Sequence, residues 1–205
     1  ELAVSYGKCA TVVVTDLNQE RLDYAKSVCP PERAAKAGCT LHFVNVAGCP
    51  DPVSVLRELA GGGFDDAFVM VPSAELLTQA EELLGNDGCL NFFAGPPVHQ
   101  LAGSLNLYRV HYDGIHLLGT AGSIPEDTVD VIHLMEEGVL DPSGMVSHIM
   151  GLHAVPDALF AMKKPDGAKK VCYNELDIPC IALKDLPEWG KKDPLYRRLA
   201  ELVEA

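Results

Sequence analysis

Positive charge is scarce in this chain of 205 residues: 16 Lys and Arg stand against 29 Asp and Glu, a formal net charge of −13. A nucleic-acid partner needs a cationic face. Basic doublets such as Lys163-Lys164 and Lys169-Lys170 are short pairs that flank turns on a solvated face. These facts exclude nucleic acid. No apolar run approaches the roughly 20 residues that cross a bilayer, so no membrane partner is expected. The seven cysteines include no C-x-x-C pair and no other pair at metal-ligand spacing, so no metal site is expected in this stretch. Their odd number and their places inside apolar segments read as buried free thiols in a reducing cytoplasm.

A Gly-rich turn is also lacking. Fifteen residues precede the first strand-end acid, Asp16, and Gly7 is their one glycine. The opening residues carry neither a charged n-region nor a cleavage pattern. They read as the last turns of a helix closed by Gly7. The expectation is a chain that starts inside a domain, after its first strand and phosphate-binding loop.

What is present begins with 10–16, Ala-Thr-Val-Val-Val-Thr-Asp, a β-branched strand that ends in a lone carboxylate. A helix opens directly behind it over 18–26. An acid at the carboxyl tip of a buried strand accepts hydrogen bonds from an adenosine ribose diol and repels a 2′-phosphate, which favours NAD over NADP. The competing reading is an N-cap or turn aspartate.

Strands and helices then alternate. Strands are predicted over 40–46, 64–71, 89–94 and 114–119. Asp51-Pro52 opens a helix that Gly61-Gly62-Gly63 stops, and Ser73 caps a helix over 74–84. Residues 85–88, Gly-Asn-Asp-Gly, read as a turn into the strand over 89–94. Pro125 opens a helix with Val129, Ile132, Leu134 and Met135 facing inward, stopped by Gly138. This rhythm predicts an α/β fold, a doubly wound parallel sheet covered on both faces. Beyond it come a strand over 145–150, a helix over 155–162, a strand over 168–173, and a polar, Pro-containing tail with a terminal helix over 195–203. The expected division is 1–143, a partial dinucleotide-binding domain, and 144–205, a return segment of a second domain with its tail.

The order of Thr15-Asp16 with Arg21, Gly85-Asn86-Asp87-Gly88-Cys89-Leu90, Gly95-Pro96, Ile115-His116-Leu117-Leu118-Gly119-Thr120, His148-Ile149-Met150-Gly151-Leu152 and Gly167-Ala168-Lys169-Lys170-Val171 resembles the C-terminal half of medium-chain, zinc alcohol-dehydrogenase-like dehydrogenases. The tail and acidic balance are weakly similar to the polyol and sorbose-1-phosphate reductase branch. The resemblance implies a Rossmann-like fold and a nicotinamide cofactor, NAD, with NADP left open because Arg21 stands beside Asp16. It implies that Val71 and Pro72 lie near the adenine and its ribose. Ala94, Gly95, Pro96, Gly119 and Thr120 would turn backbone toward the nicotinamide. It further implies zinc in a domain preceding this one, no catalytic or metal-ligating residue in this chain, an alcohol or polyol substrate, and a homodimer or homotetramer paired through the strand near 115–119. Taken alone, the chain is expected to be inactive.

Two other classes stay open at this point. A SAM-dependent methyltransferase also places an acid at its second strand tip, but needs an antiparallel final strand pair. A non-catalytic nucleotide-binding domain would tolerate the lack of a phosphate loop. A short-chain dehydrogenase is excluded because no Tyr-x-x-x-Lys occurs. His111 and His116, like His148 and His153, are five apart and would face opposite sides of a strand, so they read as satisfied or surface histidines rather than metal ligands.

Overall fold

The computed structural model describes residues 2–5, 8–97, 99–162 and 168–204. Gly7, Lys163, Lys164 and Gly167, named above, lie outside them. The elements run α1 Leu2–Ser5, β1 Thr11–Asp16, α2 Gln19–Val28, α3 Pro31–Lys36, β2 Thr40–Asn45, α4 Pro52–Ala60, β3 Phe64–Val69, α5 Ala74–Leu83, β4 Leu84–Phe92, α6 Leu107–Tyr112, β5 His116–Gly119, α7 Pro125–Glu136, β6 Val146–Gly151, α8 Val155–Ala161, β7 Lys169–Tyr173, β8 Ile181–Ala182, α9 Leu186–Gly190 and α10 Pro194–Glu204. The chain divides into two compact units, Glu1–Leu140 and Asp141–Ala205.

The first unit holds two parallel sheets, β1-β2 and β3-β4-β5, with no strand pairing between them among the described residues. Cys29, Ala34, Cys39 and Leu41 form the core under β1 and β2. Val69, Ala80, Leu84, Leu90 and Ile115 form the core under the other sheet. Helix α4 packs against both β1 and α5. Its start is set by Asp51, whose Oδ1 accepts from Ser54 N–H at 3.0 Å, and its end by Gly61 at φ 71°. Ser73 caps α5 in the same way, accepting from Leu76 N–H at 3.3 Å.

The carboxyl end of α5 has no left-handed glycine cap, because Gly85 continues into β4 without positive φ. Its free carbonyls are taken by two guanidinium groups. Arg57 Nη1 donates to Glu82 O at 2.8 Å. Arg109, from α6, donates to Glu81 O and to Leu84 O, each at 2.6 Å. Arg109 also pairs with the buried Glu81 carboxylate at 2.8 Å and with Asp113 at 2.9 Å.

The second unit is a small mixed sheet in the order β7-β6-β8, with β8 antiparallel. Ile149, Ile178, Ile181 and Leu186 are buried together there, with Tyr196 and Leu199 of α10 against them.

Several expectations are corrected. Residues 31–36 form α3, unforeseen behind a Pro-Pro pair; Pro31 sits at the first helical position, where its missing N–H costs nothing. The segment 85–88 is strand rather than turn. It forms the bulge of β4, which pairs with β3 at Leu84 and again from Cys89 while 85–88 have no register partner, and Asp87 adopts φ 59°. Val129, Ile132 and Met135 are 51%, 47% and 43% exposed, not inward-facing; Leu134 is half-buried. With Val131 the apolar positions of α7 spread over roughly 220° of the helix, more than one contact face can cover. The polar tail contains a true core. Burial holds for Cys29 and Cys39, whereas Cys9 and Cys172 are exposed, the latter on edge strand β7.

Candidate functional site

Asp16 is the last residue of β1 and pairs in register with Asn45, the last of β2. Its Oδ1 accepts from Asn18 N–H at 2.8 Å. Its Oδ2 stands 3.7 Å from Arg21 Nη1, and its side chain is 31% exposed against 65% for Arg21. The turn to α2 is therefore two residues, Leu17 and Asn18, with Asn18 as N-cap accepting from Arg21 N–H at 3.3 Å. The aspartate is thus a turn acceptor, and its carboxylate remains open to solvent. Carboxylate oxygens carry two lone pairs each, so Asp16 can still accept from a ribose hydroxyl while holding Asn18.

The other predicted residues gather on the second sheet. Val71 and Pro72 follow the end of β3, and both are exposed. Val71 O accepts from Ser73 N–H at 2.8 Å. Ala94, beyond β4, is buried and donates its N–H to Val69 O at 3.0 Å. Gly95 and Pro96 beside it are exposed. Gly119 ends β5 and pairs with Phe92; Thr120 Oγ1 donates to Asn91 Oδ1 at 3.2 Å. Because β3, β4 and β5 are parallel, their three exits share one edge. Asp16 and Arg21 are brought together with each other, and the Val71-to-Thr120 group with itself; the two groups belong to different sheets.

Sequence reasoning missed Asn18 as a cap, and Asn45 and Asn91 altogether. Asn91 had a signal, being the one polar residue within Cys89-Leu90-Asn91-Phe92-Phe93. Asn45 had none beyond closing a predicted strand. The histidines are engaged: His116 Nε2 lies 3.2 Å from Asp87, and His153 lies 3.0 Å from Asp177. The buried His148 has Ser147 Oγ at 2.9 Å and Lys170 Nζ at 3.2 Å from Nδ1. Among the described residues no group of three or more His, Cys, Asp or Glu side chains is placed to hold a metal. These residues do not fit a zinc ion. The methyltransferase reading needs an antiparallel final pair, whereas β4 and β5 run parallel.

The zinc-binding dehydrogenase family model matches residues 1–137, two thirds of the chain. The chain belongs to that family. It is 44% identical over 194 residues to the uncharacterized protein YggP of Escherichia coli strain K12, covering 94% of this chain and 46% of that protein. It is 38% identical over 193 residues to mannitol-1-phosphate 5-dehydrogenase of Aliivibrio fischeri, with coverage of 94% and 46%. L-sorbose 1-phosphate reductase of Klebsiella pneumoniae is 36% identical over 178 residues, with coverage of 86% and 42%. The chain thus spans less than half the length of these relatives. Among solved structures, benzyl alcohol dehydrogenase from Acinetobacter calcoaceticus aligns with a TM-score of 0.65 at 20% identity, covering 83% of this chain and 44% of that one. The family's α/β fold of parallel sheets and helices is the fold described above. No described helix is long and apolar enough to cross a membrane.

Proposed function

We infer that Glu1–Leu140 is the dinucleotide-holding portion of an NAD-preferring oxidoreductase. The whole protein would interconvert a polyol or sugar phosphate with its carbonyl partner. The observation that carries this reading is the open Asp16 carboxylate at the end of a parallel strand, in a chain of this family. Asp16 accepts from the adenosine ribose hydroxyls. Its charge repels a 2′-phosphate, while Arg21 beside it moderates that repulsion. Val71 and Pro72 line the adenine side. The exposed Gly95 and Gly119 let backbone approach the nicotinamide ring, because no side chain intervenes. Ala94, Pro96 and Thr120 fix those two exits. The bound nicotinamide supplies the hydride chemistry. This chain binds and orients it, and neither moves a proton nor polarises the substrate.

Asp141–Ala205 is then the return segment of the second domain, which would carry the zinc ligands in the rest of the protein. The substrate class comes from the two sugar-phosphate relatives. A cytoplasmic home suits free cysteines, two of them exposed. A homodimer or homotetramer suits β5, an edge strand with Leu117 and Leu118 about half exposed.

The test is a fluorescence titration of the 205-residue chain with NADH and NADPH. Tighter NADH binding, weakened about tenfold or more in Asp16→Ala, supports the reading. Equal binding by the variant overturns it. The isolated chain is expected to show no turnover; zinc-dependent alcohol oxidation by it would overturn the assignment of zinc and catalysis to the rest of the protein.

A further inference from the structure

The geometry points to Asn45 and Gln19 as the pair that positions Asp16 and Arg21 to tell a free ribose diol from a ribose 2′-phosphate; this rests on the nucleotide reading above. Asn45 is the register partner of Asp16 at the tips of the paired strands. Its Nδ2 donates to Gln19 Oε1 at 3.1 Å, across 26 residues of sequence. Its Oδ1 accepts from Ala47 N–H at 2.9 Å, so one side chain turns the chain leaving β2 and also grips the first residue of α2. Gln19 passes the link on, its Nε2 donating to Asp23 Oδ1 at 2.9 Å, one turn along the same helix. Val46 N–H donates to Asp16 O at 3.2 Å, which closes the backbone side of the same corner.

The consequence follows from how little chain is involved. Only Leu17 and Asn18 separate Asp16 from Gln19. Arg21 sits in the turn of α2 that Gln19 begins, and its Nη1 is 3.7 Å from Asp16 Oδ2. A shift of that turn moves the cation relative to the carboxylate, and the spacing of these two charges sets the balance between attracting and repelling a phosphate. Asn45 and Gln19 are both exposed. Their hydrogen bond therefore contributes little to folding, and its effect falls on the geometry of the corner. They are positioning residues, acting through Asp16 and Arg21.

The experiment measures the dissociation constants of NADH and NADPH for the chain and for Asn45→Ala, Gln19→Leu, the double variant and Asp16→Ala, with melting temperature recorded for each. The expected result is that either single substitution lowers the NADH preference about three- to tenfold, the range set by one hydrogen bond. The double variant loses clearly less than the sum of the two single losses, because both remove the shared Asn45–Gln19 link. Melting temperatures stay within a few degrees, which separates positioning from a structural role. An unchanged preference in Asn45→Ala, with preference abolished in Asp16→Ala, overturns this inference and leaves the nucleotide reading standing. Additive losses in the double variant also overturn it. No saturable binding of either nucleotide, or binding unaffected by Asp16→Ala, overturns the nucleotide reading itself.

Discussion

At the carboxyl ends of β1 and β2 stand Asp16, Asn18, Gln19, Arg21 and Asn45: Asp16 and Asn18 side chains accept from the N–H groups of Asn18 and Arg21, Asn45 donates to Gln19, and Arg21 lies 3.7 Å from Asp16 as an ion pair. At the ends of β3, β4 and β5 stand Val71, Pro72, Ala94, Gly95, Pro96 and Gly119, whose hydrogen-bonding groups are those of the backbone, and Thr120, whose hydroxyl is turned to Asn91. On the proposed reading the first edge would recognise the nucleotide by charge and by the aim of donors and acceptors. The second would recognise it by shape, through places where side chains are small. A charged edge is retuned by one substitution and screened by salt. A backbone edge changes only when something is added that fills its space. The two edges also differ in their support. The corner at Asp16 is exposed and lightly held. The sheet of β3 to β5 is anchored at its far end by Arg109, which binds a buried carboxylate and two helix-end carbonyls.

The largest expected effect tests that anchor. Arg109→Ala leaves Glu81 buried without its cation and strips the end of α5, which costs about 3–5 kcal/mol. Urea denaturation measures it. Hydrogen exchange sharpens the comparison: amides of β3 and β4 should lose protection well before those of β1 and β2. Equal loss in both sheets would mean that they open as one cooperative body.

A smaller effect separates backbone recognition from simple strand ending. A Cβ built at Gly95 or Gly119 meets nothing within 4 Å, and neither glycine has positive φ. Gly95→Ala and Gly119→Ala should therefore leave the melting temperature unchanged or slightly raised. Nucleotide affinity should nonetheless fall about tenfold, because the added methyl occupies the approach. Unchanged affinity would remove those exits from the site and leave Asp16 as its only support.

The smallest effect concerns α4, the helix that touches both halves. The Ser54 hydroxyl, and after it the Ser54 N–H, hold the Asp51 carboxyl below its ordinary range. A carboxylate whose folded value is depressed contributes stability above its unfolded value and loses it as pH falls through the folded value. Asp51→Ala should lower the melting temperature by a few degrees at neutral pH. Variant and parent should converge in acid below the carboxylate range. A gap that persists there would assign the effect to the helix backbone rather than the charged cap.

The elements of the first unit were legible because their signals are local. Val12, Val13 and Val14 mark a strand, Asp51 and Ser73 mark helix starts, and Gly61 and Gly138 mark helix ends; each acts within one turn of chain. Legibility failed where burial depends on distant segments. Ile178, Ile181 and Leu186 are isolated among polar residues with no period, yet they share one core. Pro31 looks like a breaker, and it begins a helix whose Ala34 is fully buried. The apolar positions of α7 look like a core stripe, yet three of the four predicted to face inward lie open. At the candidate site, Asp16 and Arg21 were visible as a five-residue spacing, whereas the Asn45 link needs the register of two strands.

The amino-acid order alone determined where most strands and helices of the first unit start and stop, and that a carboxylate would close the first strand, because those outcomes depend on backbone preference and caps within a few residues. The tertiary structure decided that Asp16 faces Asn45, that Arg109 reaches Glu81 across 28 residues, and which apolar side chains are covered. Such contacts arise only when segments far apart in the chain are brought to a common register, and no local preference specifies which segments those are.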